Sequence, residues 1–140
     1  MLELLLRSRL WVRLKARSFR VSGATLLAAL ENGVSQVEEG AGRFPQVAGL
    51  TYAFDPAGMV GKGVSNVRVL HSGRAVPLDP FELYSVVSNN YLRNGGDGYK
   101  MFKSAQNLYD FGPDLADIVA EYMAAHAPYQ PYLAGRIIEK

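Results

Sequence analysis

Residues 89–102 read NNYLRNGGDGYKMF, and they hold the residue types best suited to gripping a small molecule. Tyr91 offers a flat aromatic face. Asn94, Gly95, Gly96, Asp97 and Gly98 follow as an unbroken run of turn formers, and Tyr99 closes it. The run is neither GxxxxGK[ST] nor GxGxxG, so it matches no phosphate-cradling loop. An aspartate at its centre would repel a phosphate and suits a donor instead, either a ribose hydroxyl or a backbone N–H. An aromatic face can stack on a base for ~1–3 kcal/mol. Two readings of the loop stand side by side. In one, Tyr91 takes a base and Asp97 a sugar. In the other, the loop is a turn in which Asp97 bonds its own backbone and Tyr91 packs inward.

Other chemistries find little support. The chain has no cysteine, which excludes disulfides, thiolate metal sites and cysteine nucleophiles. His71 and His126 lie far apart, outside any HxxxH, HxH or DxH arrangement, so no metal site is expected. No GxSxG is present, and nothing points to a Ser-His-Asp triad. Glu38-Glu39 and Asp114/Asp117 read as solvated charges on helix faces or ends. No catalytic residue is assigned.

A pass along the chain supplies the elements that must position the loop. Ser22 or Thr25 caps a helix whose Leu26, Leu27, Leu30, Val34 and Val37 recur at helical spacing, with Gly40-Ala41-Gly42 ending it. Strands are expected at 50–54 and 64–71, with a hairpin turn at Ser72-Gly73-Arg74. In the second of these, Val67 and Val69 share one face and Arg68 takes the other. A third strand, 83–89, is apolar enough to lie centrally in its sheet and runs into the glycine-rich loop. Asp114 to Ala125 reads as a second helix with Pro113 at its start, and 133–138 as a short last strand. The fold class is therefore α+β: one domain, a mixed, mostly antiparallel sheet and two main helices. At 140 residues, 49% apolar and 20% charged, the chain is ordinary for a single globular domain.

Residues 1–20 stand apart. Six Lys and Arg face the single Glu3 there, while the rest of the chain is net acidic. The longest apolar run, Leu4-Leu5-Leu6, falls short of a membrane span and of a secretory signal's core, so no signal peptide is assigned. A transit peptide is a further reading of this leader. The period-2 alternation from Leu10 to Val21 reads as a strand. A basic arm for nucleic acid or anionic membrane would bind in a salt-dependent way. The net positive charge is confined to the leader, so neither partner is expected.

The run SNNYLRNGGDGYKMF resembles the NxFLAxGGDGF/Y motif of the C-terminal domain of the 5'-nucleotidase family, two-domain metallophosphoesterases that include UDP-sugar hydrolases and ecto-5'-nucleotidases. SGATLLAALENGVSQ, GRFPQVAGLTYAFDP, VPLDPFELYSVVSNNYL and PYLAGRI resemble other blocks of that domain in the same order, so the likeness runs from Val21 to Ile137. The resemblance implies a substrate-binding domain over 21–140 that grips base and sugar between two aromatic rings. Two divalent metals and the catalytic residues would lie in a separate N-terminal domain. It places Tyr91 at one ring and Asp97 at the ribose, with Asn90, Asn94, Gly95 and Gly96 completing the site. Members are often periplasmic or extracellular.

The chain also departs from the pattern. The family's LPFGN ring and NGGGxR segment have no counterpart here. Trp11 is the one aromatic near the place of the missing ring, and Phe44 reads as core. The leader's composition fits a shifted reading frame or a new start inside a damaged gene, which would leave an N-terminally truncated remnant. A separate subunit completed by another chain is the alternative. The expected partners are a weakly bound nucleoside or nucleotide, and either the absent metallophosphoesterase domain or a second copy. The rival function is a structural or dimerising module, pairing through residues 9–21, with no ligand.

Overall fold

The computed structural model describes residues 14–140. The expectations for Leu10–Arg13, for Trp11 and for most of the basic leader lie outside the described residues. Strand β1 (Ala16–Ser22) leads into helix α1 (Gly23–Val34). Strands β2 (Leu50–Phe54), β3 (Val64–His71), β4 (Arg74–Pro77) and β5 (Leu83–Asn89) follow. The short helix α2 (Asn90–Arg93), two 3-10 turns, β6 (Gln106–Tyr109), α3 (Leu115–Ala125) and β7 (Ile137–Glu139) complete the order.

The class is α+β, with a correction to the sheet. The strands divide into two sheets, ordered β5-β1-β6 and β4-β3-β2-β7. All described pairings are antiparallel except β2 with β7. A second correction concerns β5, which lies at an edge while β1 takes the centre. Its residues alternate: Tyr84 and Val86 turn toward the core, whereas Val87 is 74% exposed. One covered face is what an antiparallel edge strand needs, and its apolar composition does not make it central. Strand β1 is thus hydrogen-bonded on both sides, along its length to β5 and at Ser18 and Arg20 to β6.

Helix α1 ties the two sheets together. Ser22 caps it, its Oγ accepting from the Thr25 N–H at 3.2 Å. Leu26 and Ala29 pack with Phe19 and Val21 of β1, while Leu30 and Val34, a turn further on, pack with Tyr52 and Phe54 of β2. Glu31 accepts from the N–H groups of Gly63 and Val64, both at 3.0 Å, and so fixes the start of β3 against the helix. The helix ends at Val34, earlier than the spacing through Val37 predicts. Ser35 Oγ donates to the Asn32 carbonyl at 2.7 Å and satisfies an end group the helix would otherwise leave open. Val37 still packs against the second core, from a turn.

The C-terminal helix behaves differently. None of the residues of α3 is buried, and Val119, Tyr122 and Met123 are exposed. Its start is anchored, since Leu115 N–H donates to the Leu14 carbonyl at 2.8 Å and Ala16 N–H donates to the Pro113 carbonyl at 3.0 Å. No described helix is long and apolar enough to cross a membrane.

Candidate functional site

The glycine-rich loop begins where β5 ends. Asn89 Oδ1 accepts from the Leu92 N–H at 2.8 Å and caps α2. Asn90 is engaged as well. Its Oδ1 accepts from the Lys15 N–H at 2.8 Å and its own N–H donates to the Lys15 carbonyl at 3.0 Å, so this side chain extends the β1–β5 ladder. Arg93, in the last turn of α2, is buried with its guanidinium carbon 5.7 Å from the centre of the Phe19 ring. That contact holds the short helix on the first core.

The loop itself is sharply bent. Asn94 ends α2, donating its N–H to the Asn90 carbonyl at 3.0 Å. Gly95 takes φ 89°, Asp97 φ 50° with ψ 29°, and Gly98 φ 83°, three left-handed residues within four. Gly96 is needed for a different reason. A Cβ there would lie 2.5 Å from Cε1 and Cζ of Tyr91, so the ring rests against bare backbone. The Tyr91 hydroxyl donates to Asp97 Oδ1 at 3.0 Å. Tyr91 is 48% exposed and Asp97 partly so. The loop therefore presents a half-open ring joined to a carboxylate. Asp97 bonds the hydroxyl of Tyr91, and Tyr91 does not pack inward.

Asn32 is a residue that sequence reasoning missed. It sits in α1, and its Nδ2 donates to the Asp97 carbonyl at 3.0 Å. It also closes off Gly98, where a Cβ would meet Asn32 Oδ1 at 2.5 Å. The available signal was an Asn-Gly pair inside a helix, where both residues are weak formers. Tyr99 turns the other way and is 3% exposed. Its hydroxyl donates to the Arg43 carbonyl at 2.7 Å and its ring stacks on Phe102 at 5.5 Å. Burial is the main reason its phenol is pushed up to about 12; nearby Asp97 pushes the same way and Arg43 opposes it.

Other candidates lie elsewhere. A cleft of about 570 Å³ opens between α1, the 42–50 segment and β5, with Leu30, Phe44, Val86 and Tyr99 among its walls. Tyr91 and Asp97 do not line it. Phe44 packs against Phe54 at 5.4 Å, as a core residue does. His71 ends β3, and His126 follows α3 with Nδ1 2.8 Å from the Tyr122 carbonyl. Among the described residues, no three His, Cys, Asp or Glu side chains come together to hold a metal. They do not fit the two-metal centre that the resemblance assigns to another domain.

Residues 15–104 match the family described as 5'-nucleotidase, C-terminal domain. The chain belongs to that family. It is 36% identical over 121 residues to the trifunctional nucleotide phosphoesterase protein YfkN of Bacillus subtilis (strain 168), covering 85% of this chain and 8% of that protein. It is 33% identical over 122 residues to the 5'-nucleotidase of Homo sapiens, covering 84% of this chain and 21% of the relative. The fold superposes on the crystal structure of the 5'-nucleotidase precursor from Thermus thermophilus with a TM-score of 0.86 at 41% identity, covering 91% of this chain and 25% of that one. The chain thus spans a quarter or less of these relatives.

Proposed function

We propose that this domain recognises the nucleoside part of a substrate for a 5'-nucleotidase-type phosphohydrolase and does not hydrolyse phosphate esters by itself. The observation that carries this reading is the joined pair of Tyr91 and Asp97. One residue offers an open aromatic face and the other an acceptor, and both are held on a backbone fixed by Asn32 and three glycines. A base stacked on Tyr91 would bring its sugar hydroxyls toward Asp97. Stacking on the Tyr91 ring with a hydrogen bond to Asp97 gives an expected affinity for a free nucleoside of roughly millimolar.

The experiment is a titration of the isotopically labelled chain with adenosine to about 10 mM, followed by amide NMR. Shift changes confined to residues 90–98, absent in Tyr91→Ala, support the reading; unchanged spectra overturn it. Phosphate release from AMP with Mn²⁺ or Zn²⁺ should not exceed that of a Tyr91→Ala, Asp97→Ala double variant. Release above that control would overturn the non-catalytic part.

A specific observation also favours an interaction role. Helix α3 carries Val119, Tyr122 and Met123 and buries none of them. Size-exclusion chromatography with and without adenosine separates the two readings. A dimer indifferent to adenosine favours the interaction module, and ligand-dependent stability favours the nucleoside site.

A further inference from the structure

We infer that the Tyr91 hydroxyl acts as a positioning group, setting the Asp97 carboxylate as a prepared acceptor for sugar hydroxyls, so that Tyr91 governs selectivity for ribose over its dideoxy form. The inference rests on the nucleoside reading above and goes further, since it assigns the hydroxyl of Tyr91 a role separate from that of its ring.

The backbone at Asp97 has little freedom. Its φ of 50° is left-handed, its carbonyl accepts from Asn32 Nδ2 at 3.0 Å, and Tyr99 N–H donates to the Gly96 carbonyl at 3.0 Å. The side-chain torsions of Asp97 are the remaining freedom, and the hydroxyl of Tyr91, 3.0 Å from Oδ1, fixes them. Tyr91 is itself fixed, by its place in the Asn89-capped helix and by its contact with Gly96.

A carboxylate has roughly four acceptor positions. Tyr91 takes one on Oδ1 and leaves Oδ2 to accept from a ligand. An acceptor held in one rotamer binds without first losing side-chain freedom, which is the general advantage of preorganisation. The arrangement also links the ring to the acceptor, because the side chain that offers the stacking face sets where the acceptor stands.

Removing the hydroxyl leaves the ring. Tyr91→Phe keeps the aromatic face and releases Asp97, so stacking and positioning come apart. The test compares wild type, Tyr91→Phe and Asp97→Asn, each as the full chain, by amide NMR titration with adenosine and with 2',3'-dideoxyadenosine. Three-bond couplings of Asp97 are measured in the ligand-free chains. Wild type is expected to prefer adenosine by about tenfold, as a hydrogen bond to a charged acceptor allows. In Tyr91→Phe the preference for adenosine over dideoxyadenosine should fall to roughly two- to threefold, and Asp97 should change from one rotamer to an average. Asp97→Asn should lose most of the preference. If Tyr91→Phe keeps the wild-type preference, or keeps the single Asp97 rotamer, the inference is overturned while nucleoside recognition stands. If wild type binds neither compound, nucleoside recognition itself is overturned and the inference falls with it.

Discussion

The loop at residues 89–99 and the segment around α3 are similar in length and opposite in construction. The loop is held from below. Tyr99 and Phe102 sit in the first core, Arg93 lies over Phe19, and Asn32 reaches up from α1 to the Asp97 carbonyl. Helix α3 has regular backbone, yet none of its residues is buried, and its aromatic contacts are with its own neighbours: Tyr122 with His126 at 4.1 Å and Tyr122 with Tyr129 at 6.1 Å. Irregular backbone is thus the better positioned of the two. Position comes from core contacts and satisfied polar groups, and regular secondary structure alone does not supply it.

The largest test of this contrast is Phe102→Ala. Phe102 is buried against Phe19 at 5.0 Å and Tyr99 at 5.5 Å. Its truncation should cost about 3–5 kcal/mol in urea unfolding, because a cavity opens beneath the loop. A loss under 1 kcal/mol would mean that the loop does not depend on the first core.

Alkaline pH tests the same foundation. Burial first, and Tyr99 second, push Tyr52 up to about 12; Tyr99 also stands at about 12, against an ordinary phenol value of 10.0. Below pH 10 both phenols keep their protons in the folded and unfolded chains, so their contribution is whole. As pH rises toward 12 the unfolded chain releases protons that the folded chain retains, and stability falls. The loss should approach about 2–3 kcal/mol per tyrosine. Melting temperatures from pH 9 to 12 would show it, and a flat profile would mean that both phenols reach water in solution.

How much of this was legible in the sequence depends on distance along the chain. The Ser22 cap, the Leu26–Leu30–Val34 face, the 64–71 strand with the turn after it and the NGGDG turn are local patterns, and local physics reads them; the short return strand β4 (Arg74–Pro77) was not read. The contacts that hold the loop are not local. Asn32 is 65 residues from Asp97, and Lys15 is 75 from Asn90. The central place of β1 depends on partners more than 60 positions away, so the apolar run of β5 pointed to the wrong strand. Strand β6 escaped notice because Gln106 and Asn107 interrupt any alternation, with Asn107 at φ 50°. The pairing of Tyr91 with Asp97 spans six positions, yet it depends on a left-handed Asp97 and a bare Gly96 that only the folded loop displays.

A smaller effect is expected at Gly96. An added methyl would lie 2.5 Å from the Tyr91 ring, so Gly96→Ala must displace the ring or the turn. The cost should be about 1–2 kcal/mol in stability. Nucleoside-induced shifts at residues 91–97 should be lost while the core resonances stay in place. If the shifts persist, the ring does not need its seat on the backbone and the platform reading weakens.

The smallest effect belongs to α3. Tyr122→Ala removes a ring that is 49% exposed and whose aromatic neighbours, His126 and Tyr129, belong to its own segment. Truncating such a side chain should cost less than about 1 kcal/mol, against several for Phe102. A loss above about 2 kcal/mol would fall outside what an open helix face can lose. The helix would then be covered in solution, and the cost would depend on protein concentration if a second copy does the covering. Unfolding curves at two concentrations a hundredfold apart decide this. Coincident midpoints for wild type and Tyr122→Ala leave the loop as the positioned region and α3 as the open one. A concentration-dependent midpoint that Tyr122→Ala abolishes would make α3 the built interface and give the interaction role its structural basis.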